Sequence, residues 1–379
     1  MSSFFKCGGC QLQHLMYSEQ LKFKTNKVSE ALQKIGGLKL ENIADCVASK
    51  SEYNYRNKVE MPVRMRSGKI EIGFFESGSH NIVPNNYCYL QSERINTCLS
   101  IIKEFVLKSP NVCLNSEKAL LVKHIVVREI EEKLLITIVA TENIDLRKLI
   151  KMIEKSFENS YGLYLNINTK NTAEVFGKEF IFINGIKELF TEQNGIKIGV
   201  GPYSFFQVNN FIRQRIYSDI LSHIENISDK VIIDAYSGAG LLSGILAKNA
   251  SMVYGVEVVG EAVKNANNLK KRNELNNLIN ICGKCEEELP KLIAKISKQE
   301  KKTVIVLDPP RNGCDKTLIE AVAKSNASQI IYLSCEPSTL ARDLKILLAV
   351  NPSYKVTSVQ PYDMFPQTAH VETLVCLSL

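Results

Sequence analysis

Hydrophobic and polar positions change texture along the chain. Between residues 12 and 35, Leu15, Leu21, Val28 and Leu32 recur on roughly one face of a helical period. Lysines occupy the other positions, and Gly36-Gly37 stops the pattern. From about 46 to 200 the apolar runs are short and β-rich: Lys58–Arg64, Ile70–Phe75, His124–Arg128 and Leu134–Ala140. Helical stretches at 92–108 and 144–158 lie between them. This texture predicts an antiparallel α+β module. From about 210 onwards, continuous apolar runs alternate with helical segments: Val231–Ile233, Met252–Val256, Val304–Leu307 and Ile330–Leu333. Runs of that kind predict a parallel sheet covered by helices on both faces. Two further runs close the chain, Lys355–Gln360 and His370–Leu379.

Composition narrows the class. The 379 residues suffice for two or three domains at about 150 residues each. Hydrophobic residues at 45% and charged residues at 23% are those of an ordinary globular protein. No stretch of about 18 uncharged apolar residues is present, so no membrane-spanning helix is expected. Met1–Cys10 lacks the apolar run of a secretory signal. A reducing, cytoplasmic location is therefore expected, where eleven cysteines are thiols, metal ligands or nucleophiles rather than a disulfide framework. The net charge of +7 permits an anionic partner such as nucleic acid without demanding one.

The candidate chemistry lies where the apolar runs of the last third end. The first is followed by Asp234-Ala235-Tyr236-Ser237-Gly238-Ala239-Gly240, in which Gly238 and Gly240 let a ligand approach the backbone. The second ends at Glu257, an acidic side chain placed to accept the hydrogens of both ribose hydroxyls of a nucleoside. No third glycine completes G-x-G-x-x-G, and no lysine completes a phosphate cradle. The loop thus suits a nucleoside without a pyrophosphate, and S-adenosylmethionine is such a ligand. The third run ends in Asp308-Pro309-Pro310-Arg311, whose prolines turn the chain out at the sheet edge. The fourth ends in Ser334-Cys335, a thiol beside the nucleoside site and a candidate nucleophile. Glu372, in an apolar run with Val371, Leu374 and Val375, is a carboxylate whose pKa burial would raise, as a general base requires.

A methyl donor, a thiol and a base together suit one reaction well. C5 of a pyrimidine is too weak a nucleophile to take a methyl group directly. A thiolate adding to C6 makes C5 enolate-like, and a base must later remove the C5 hydrogen so that the thiol can leave.

In these residues the chain resembles the S-adenosylmethionine-dependent RNA uracil-C5 methyltransferases, the 5-methyluridine enzymes of 23S rRNA and tRNA. The resemblance also rests on Ser204-Phe205-Phe206-Gln207-Val208-Asn209-Asn210, Tyr55-Arg56-Asn57-Lys58 and Cys7-Gly8-Gly9-Cys10-Gln11-Leu12-Gln13-His14. Together the motifs cover essentially the whole chain. The resemblance implies a Rossmann-like methyltransferase domain at 201–379, with the last two runs as its paired final strands. It further implies a central β-rich, RNA-contacting domain at 46–200, a helix at 11–45 packing on the catalytic domain, and an N-terminal CxxC segment at 1–10. By position, Cys335 is the nucleophile and Glu372 the base. Gln207, Tyr236, Gly238, Gly240, Glu257 and Asp308 line the cofactor site, and Phe205 and Asp308 lie near the target base. Leu241 and Cys285 stand where the family usually has polar adenosine contacts. The rRNA members hold a [4Fe–4S] cluster. Here Cys7, Cys10 and Cys88 match three of its ligands, Cys88 the distant fourth, while Met1 stands at the first. The cysteine segment favours rRNA over the tRNA T-loop as substrate, and a monomer is expected. A non-catalytic RNA-binding protein of the same fold is the rival reading, and the presence of both Cys335 and Glu372 argues against it.

Overall fold

The computed structural model describes residues 6–39, 43–172, 174–202, 204, 206–296 and 302–379. The chain forms two compact units. One comprises Met1–His14, Ser51–Thr191 and Gly199–Asn209; the other comprises Leu15–Lys50, Glu192–Ile198 and Asn210–Leu379.

The first unit is built on β1 (Lys58–Arg66), β2 (Lys69–Phe75), β3 (Ile82–Pro84), β4 (Val122–Ile130), β5 (Lys133–Ala140), β6 (Tyr161–Ile167) and β7 (Glu179–Gly185). They form one sheet in the order β3-β2-β1-β4-β5-β6-β7. Two of its hairpins turn in two residues, both at positive φ: Ser67-Gly68 (49° and 74°) and Glu131-Glu132 (49° and 61°). Such turns match the right-handed twist of the strands they join. Asn194-Gly195 (46° and 75°) does the same between β8 (Leu189–Gln193) and β9 (Ile196–Val200), which form a separate two-stranded sheet. The expected antiparallel module needs one correction. β5 and β6 are parallel, because the segment between them includes a crossover helix, α4 (Arg147–Phe157). Helix α2 (Glu93–Lys108) is capped by Ser92, whose hydroxyl accepts the Ile95 N–H. The one-turn helix α3 (Pro110–Cys113) follows it. Ile102, Phe105, Ile125, Ile136 and Leu149, all fully buried, make the core between these helices and the sheet.

The second unit begins with α1 (Tyr17–Lys34) and continues with α5 (Asn210–His223). The alternating series follows: β10 (Val231–Ala235), α6 (Leu241–Ala247), β11 (Met252–Glu257), α7 (Gly260–Arg272), β12 (Leu278–Cys282), α8 (Cys285–Ile296), β13 (Thr303–Leu307), α9 (Lys316–Lys324), β14 (Gln329–Ser334), α10 (Pro337–Val350), β15 (Lys355–Tyr362) and β16 (Glu372–Ser378). The sheet order is β12-β11-β10-β13-β14-β16-β15. The first five strands pair in parallel, and β16 pairs antiparallel with both β14 and β15. This is the Rossmann-like arrangement expected. All five residues of β10 are buried, as a strand with helices on both faces requires. The expected helix at 12–35 is shorter, because the chain enters it only at Tyr17, after Met16. Its lysines do not all lie away from the core: Lys24 is fully buried with Gln20, Val28 and Leu32. Helix α1 packs on α10 and β15. Among the described residues no helix is long and apolar enough to cross a membrane.

Candidate active site at the carboxyl edge of the parallel sheet

Parallel strands end on the same side, so the register of this sheet brings its strand-end residues together. Ala235 pairs with Val256 on one side and with Leu307 on the other. The residues that follow, Tyr236, Glu257 and Asp308, therefore share one edge. Antiparallel β16 adds a residue at its amino end. Ser334 pairs with Thr373, so one step further out Cys335 and Glu372 fall opposite each other.

The glycine loop leaves β10 through Tyr236, which holds φ +62°. A non-glycine residue there is strained, and such strain collects at functional turns. Gly240 closes the turn at φ +80°, and a Cβ on it would stand 2.7 Å from Cβ of Ala266 in α7. Only glycine satisfies both conditions. Glu257 braces this loop. One carboxylate oxygen accepts the Gly238 N–H (3.0 Å) and the other the Val259 N–H (2.8 Å). The carboxylate stays partly exposed, with lone pairs left for ligand hydroxyls. The side chain of Tyr236 takes another direction. It packs against the core beneath the sheet, and burial with the neighbouring Cys314 and Cys285 thiols pushes its pKa up. Leu241 opens α6. The buried Cys285 thiol opens α8, 3.8 Å from the Val256 carbonyl.

Three carboxyls gather at this edge with little compensation. Burial raises Asp234 to about 7, partly offset by the Ser243 hydroxyl that donates to it. Asp308 is raised to about 7 by burial and then by Asp234. Glu372, with 4% of its surface exposed, is raised to about 8 by burial and by Asp308, against the pull of Arg311. Carboxyls this close, in so little water, cannot all ionise together. The half-buried Cys335 thiol is pushed up to about 11, first by burial, then by Glu372 and Asp308; Arg311 acts in the opposite direction. Cys335 also precedes α10, which starts at Pro337 with Glu336 as its cap. The partial positive charge of that helix end favours a thiolate. Arg311 is thus the cation that serves both groups. The sequence places it in the Asp308-Pro309-Pro310-Arg311 motif without giving it a role in catalysis. The usable signal was its position, next to a strand end already assigned to the site.

Other expected site residues belong to the first unit or lie outside the described residues. Gln207 belongs to the first unit, where its main-chain carbonyl accepts from the Asn57 amide (3.0 Å). Phe205 and Met1 lie outside the described residues. Cys7, Cys10 and Cys88 are all partly buried and near one another. Burial and the charges of the other two thiols push Cys10 up to about 12. Yet among the described residues no three Cys, His, Asp or Glu side chains are gathered as a metal-ligating set. The three-cysteine arrangement therefore does not fit an iron–sulfur cluster, and no step below passes through one.

Comparison with known proteins places this geometry. The family model described as tRNA (uracil-5-)-methyltransferase matches residues 16–379. The chain belongs to that family. It is accordingly an S-adenosylmethionine-dependent RNA uracil-C5 methyltransferase. Among relatives of the family, an uncharacterized RNA methyltransferase of Clostridium acetobutylicum is 40% identical over 99% of this chain and 82% of its own length. An uncharacterized RNA methyltransferase of Bacillus cereus is 34% identical over 99% of this chain and 82% of its own. The fold matches the crystal structure of Pyrococcus abyssi tRNA (uracil-54, C5)-methyltransferase in complex with S-adenosyl-L-homocysteine. The TM-score is 0.76 at 24% identity, covering 97% of this chain and 85% of that one.

Proposed function

We propose that this methyltransferase acts on one uridine of 23S rRNA, through a covalent bond between Cys335 and C6 of the target base, with Glu372 as the base that completes the reaction. The observation that carries the proposal is the β14–β16 register, with Cys335 and Glu372 opposite each other at the strand ends.

S-adenosylmethionine supplies an electrophilic methyl group. Glu257 holds its ribose hydroxyls, and Gly238 and Gly240 leave room for it against the backbone. Cys335 loses its proton to solvent water and adds to C6 as the thiolate, helped by Arg311 and the α10 end and opposed by the two carboxyls. The electron pair of the C5–C6 double bond moves toward O4; as it returns, C5 would take the methyl group, the methyl–sulfur bond breaking with its electron pair left on sulfur, so that S-adenosylhomocysteine leaves. C5 then carries both the methyl group and its hydrogen. Glu372 removes that hydrogen as a proton, the double bond re-forms, and Cys335 leaves as a thiolate. Near neutral pH much of Glu372 is protonated, given a pKa of about 8, so this last step must accelerate as pH rises. The target base must leave its stack to reach Cys335, so loops and single strands are the preferred substrates.

The Cys7-x2-Cys10 segment with Cys88 supports rRNA, as in the cysteine-bearing rRNA members. A uridine of the tRNA T-loop is the second reading, favoured by the description of the matching family model. Mass spectrometry of nucleosides from separated rRNA and tRNA, with and without the gene, tests both. Loss of 5-methyluridine from 23S rRNA is expected. Loss from tRNA alone would select the second reading, and no loss from either would refute the proposal.

A further inference from the structure

Glu372 starts β16, and β15 ends at Tyr362. The connection 363–371 therefore decides where Glu372 comes to rest. Its side chains and backbone are held by one face of α1. Lys24 and Asp363 form an ion pair in which both side chains are fully buried, and the Lys24 ammonium also donates to the Phe365 carbonyl (3.1 Å). Gln367 sits in the left-handed region at φ +71°, with 1% of its surface exposed. It is tied to Gln20 twice. The Gln367 N–H donates to Gln20 Oε1 (3.0 Å), and Gln20 Nε2 donates to Gln367 Oε1 (2.9 Å). The Lys27 ammonium reaches the Ala369 carbonyl (3.0 Å). Gln20, Lys24 and Lys27 are spaced by four and three, one stripe of a helix.

The energetics argue for a role beyond stability. Burying a lysine and an aspartate together costs about what their attraction returns, and apolar replacements often stabilise a fold as well or better. A left-handed glutamine adds backbone strain. What these groups supply is a fixed geometry. They act on the connection rather than on either strand, and the last contact falls three residues before Glu372. We propose that Gln20 and Lys24 are positioning residues that hold Glu372 facing Cys335, so that α1 sets the rate of proton removal from C5. This inference rests on the role assigned to Glu372 above.

Two variants test it. Gln20→Ala removes the reciprocal bonds without stranding a buried charge. Lys24→Met combined with Asp363→Leu removes the ion pair as a whole, a change compatible with folding. Both should lower turnover on ordinary RNA about ten- to a hundredfold, as expected for a misplaced base. KM for S-adenosylmethionine and for RNA should not change, and a methylated covalent protein–RNA species should accumulate. The rate of trapping on RNA containing 5-fluorouridine, which needs Cys335 but no proton removal, should equal that of the parent protein. Parent-like turnover in both variants would overturn the inference. So would equal losses of turnover and trapping, since a structural defect alone does that. A parent protein that forms no trapped species would instead overturn the roles of Cys335 and Glu372 themselves.

Discussion

Among the described residues there are two seven-stranded sheets, and one of them concentrates chemistry at an edge. In the C-terminal sheet five neighbouring strands run the same way. Their carboxyl ends deliver Tyr236, Glu257, Asp308 and Cys335 to one side, and β16 returns there to start at Glu372. In the other sheet β5–β6 is the parallel pair, and elsewhere neighbouring strands end on opposite sides. Its titratable groups lie within strands as well as at their ends. His124, for example, lies within β4, where burial and then the Arg64 and Lys123 charges hold it down to about 4. Strand direction, more than composition, thus decides where several ionisable groups can share one poorly solvated space. The carboxyls raised to about 7 and 8 are the consequence.

The largest test of that contrast is Glu372→Gln, which keeps the shape and removes the basicity. Turnover should fall about 10²- to 10⁴-fold, with a methylated covalent species building up on ordinary uridine. Product release at the parent rate would mean that another group takes the proton. Glu257→Ala comes next. Charge-assisted hydrogen bonds are worth about 1.5–3 kcal/mol each, so calorimetry should read a loss of roughly ten- to a hundredfold in S-adenosylmethionine affinity. An unchanged affinity would remove Glu257 from the cofactor site.

The pH dependence is of similar size. A base with a pKa of about 8 gains ionised fraction about tenfold per unit below that value and levels above it. Single-turnover product release should follow that curve in the parent. The same shift predicts stability. Between its ordinary value of 4.5 and about 8, the folded protein holds a proton on Glu372 that the unfolded chain releases. Its contribution is therefore fully present at low pH and is lost as pH rises through that window. The Glu372→Gln variant should lack this part of the decline, as denaturant titrations at several pH values would reveal. Parallel stability curves for the two proteins would argue against a buried, neutral Glu372. The smallest effect is assigned to the other sheet. Glu132→Gly relieves a positive-φ residue (61°) in the β4–β5 turn. It should stabilise the protein by about 1 kcal/mol or less without altering turnover. A loss of activity from that change would blur the contrast between the sheets.

Much of this was legible in the sequence, for reasons that differ by region. The buried parallel strands announce themselves as continuous apolar runs, and each ends at a residue type that a strand interior rejects, such as Asp308 before two prolines. Edge strand β12 escapes that reading because only Leu278 of its five residues is buried. The parallel β5–β6 pair was hidden because strand direction is set by the connection, here through α4, and not by the strands' own residues. The motif around Glu372 was visible, but its surroundings were not. Lys24 reads as a surface lysine until tertiary contact buries it against Asp363. Tyr236 reads as a ligand contact, and nothing in the sequence shows that its half-buried ring packs on the core beside Cys314 and Cys285. Cysteines 7, 10 and 88 suggest a cluster through the resemblance to the rRNA members, and a motif match carries no information on whether the thiols gather as a ligating set.

The central claim is a covalent bond from Cys335 to the target base. The direct measurement is mass spectrometry of protease and nuclease digests after reaction with 5-fluorouridine-substituted RNA and S-adenosylmethionine. Fluorine at C5 cannot be removed as a proton, so the adduct cannot resolve. The account predicts a methylated fluorouridine nucleotide on the peptide containing Cys335, and none in the Cys335→Ala protein. An adduct on another residue, or one that persists in Cys335→Ala, would contradict it.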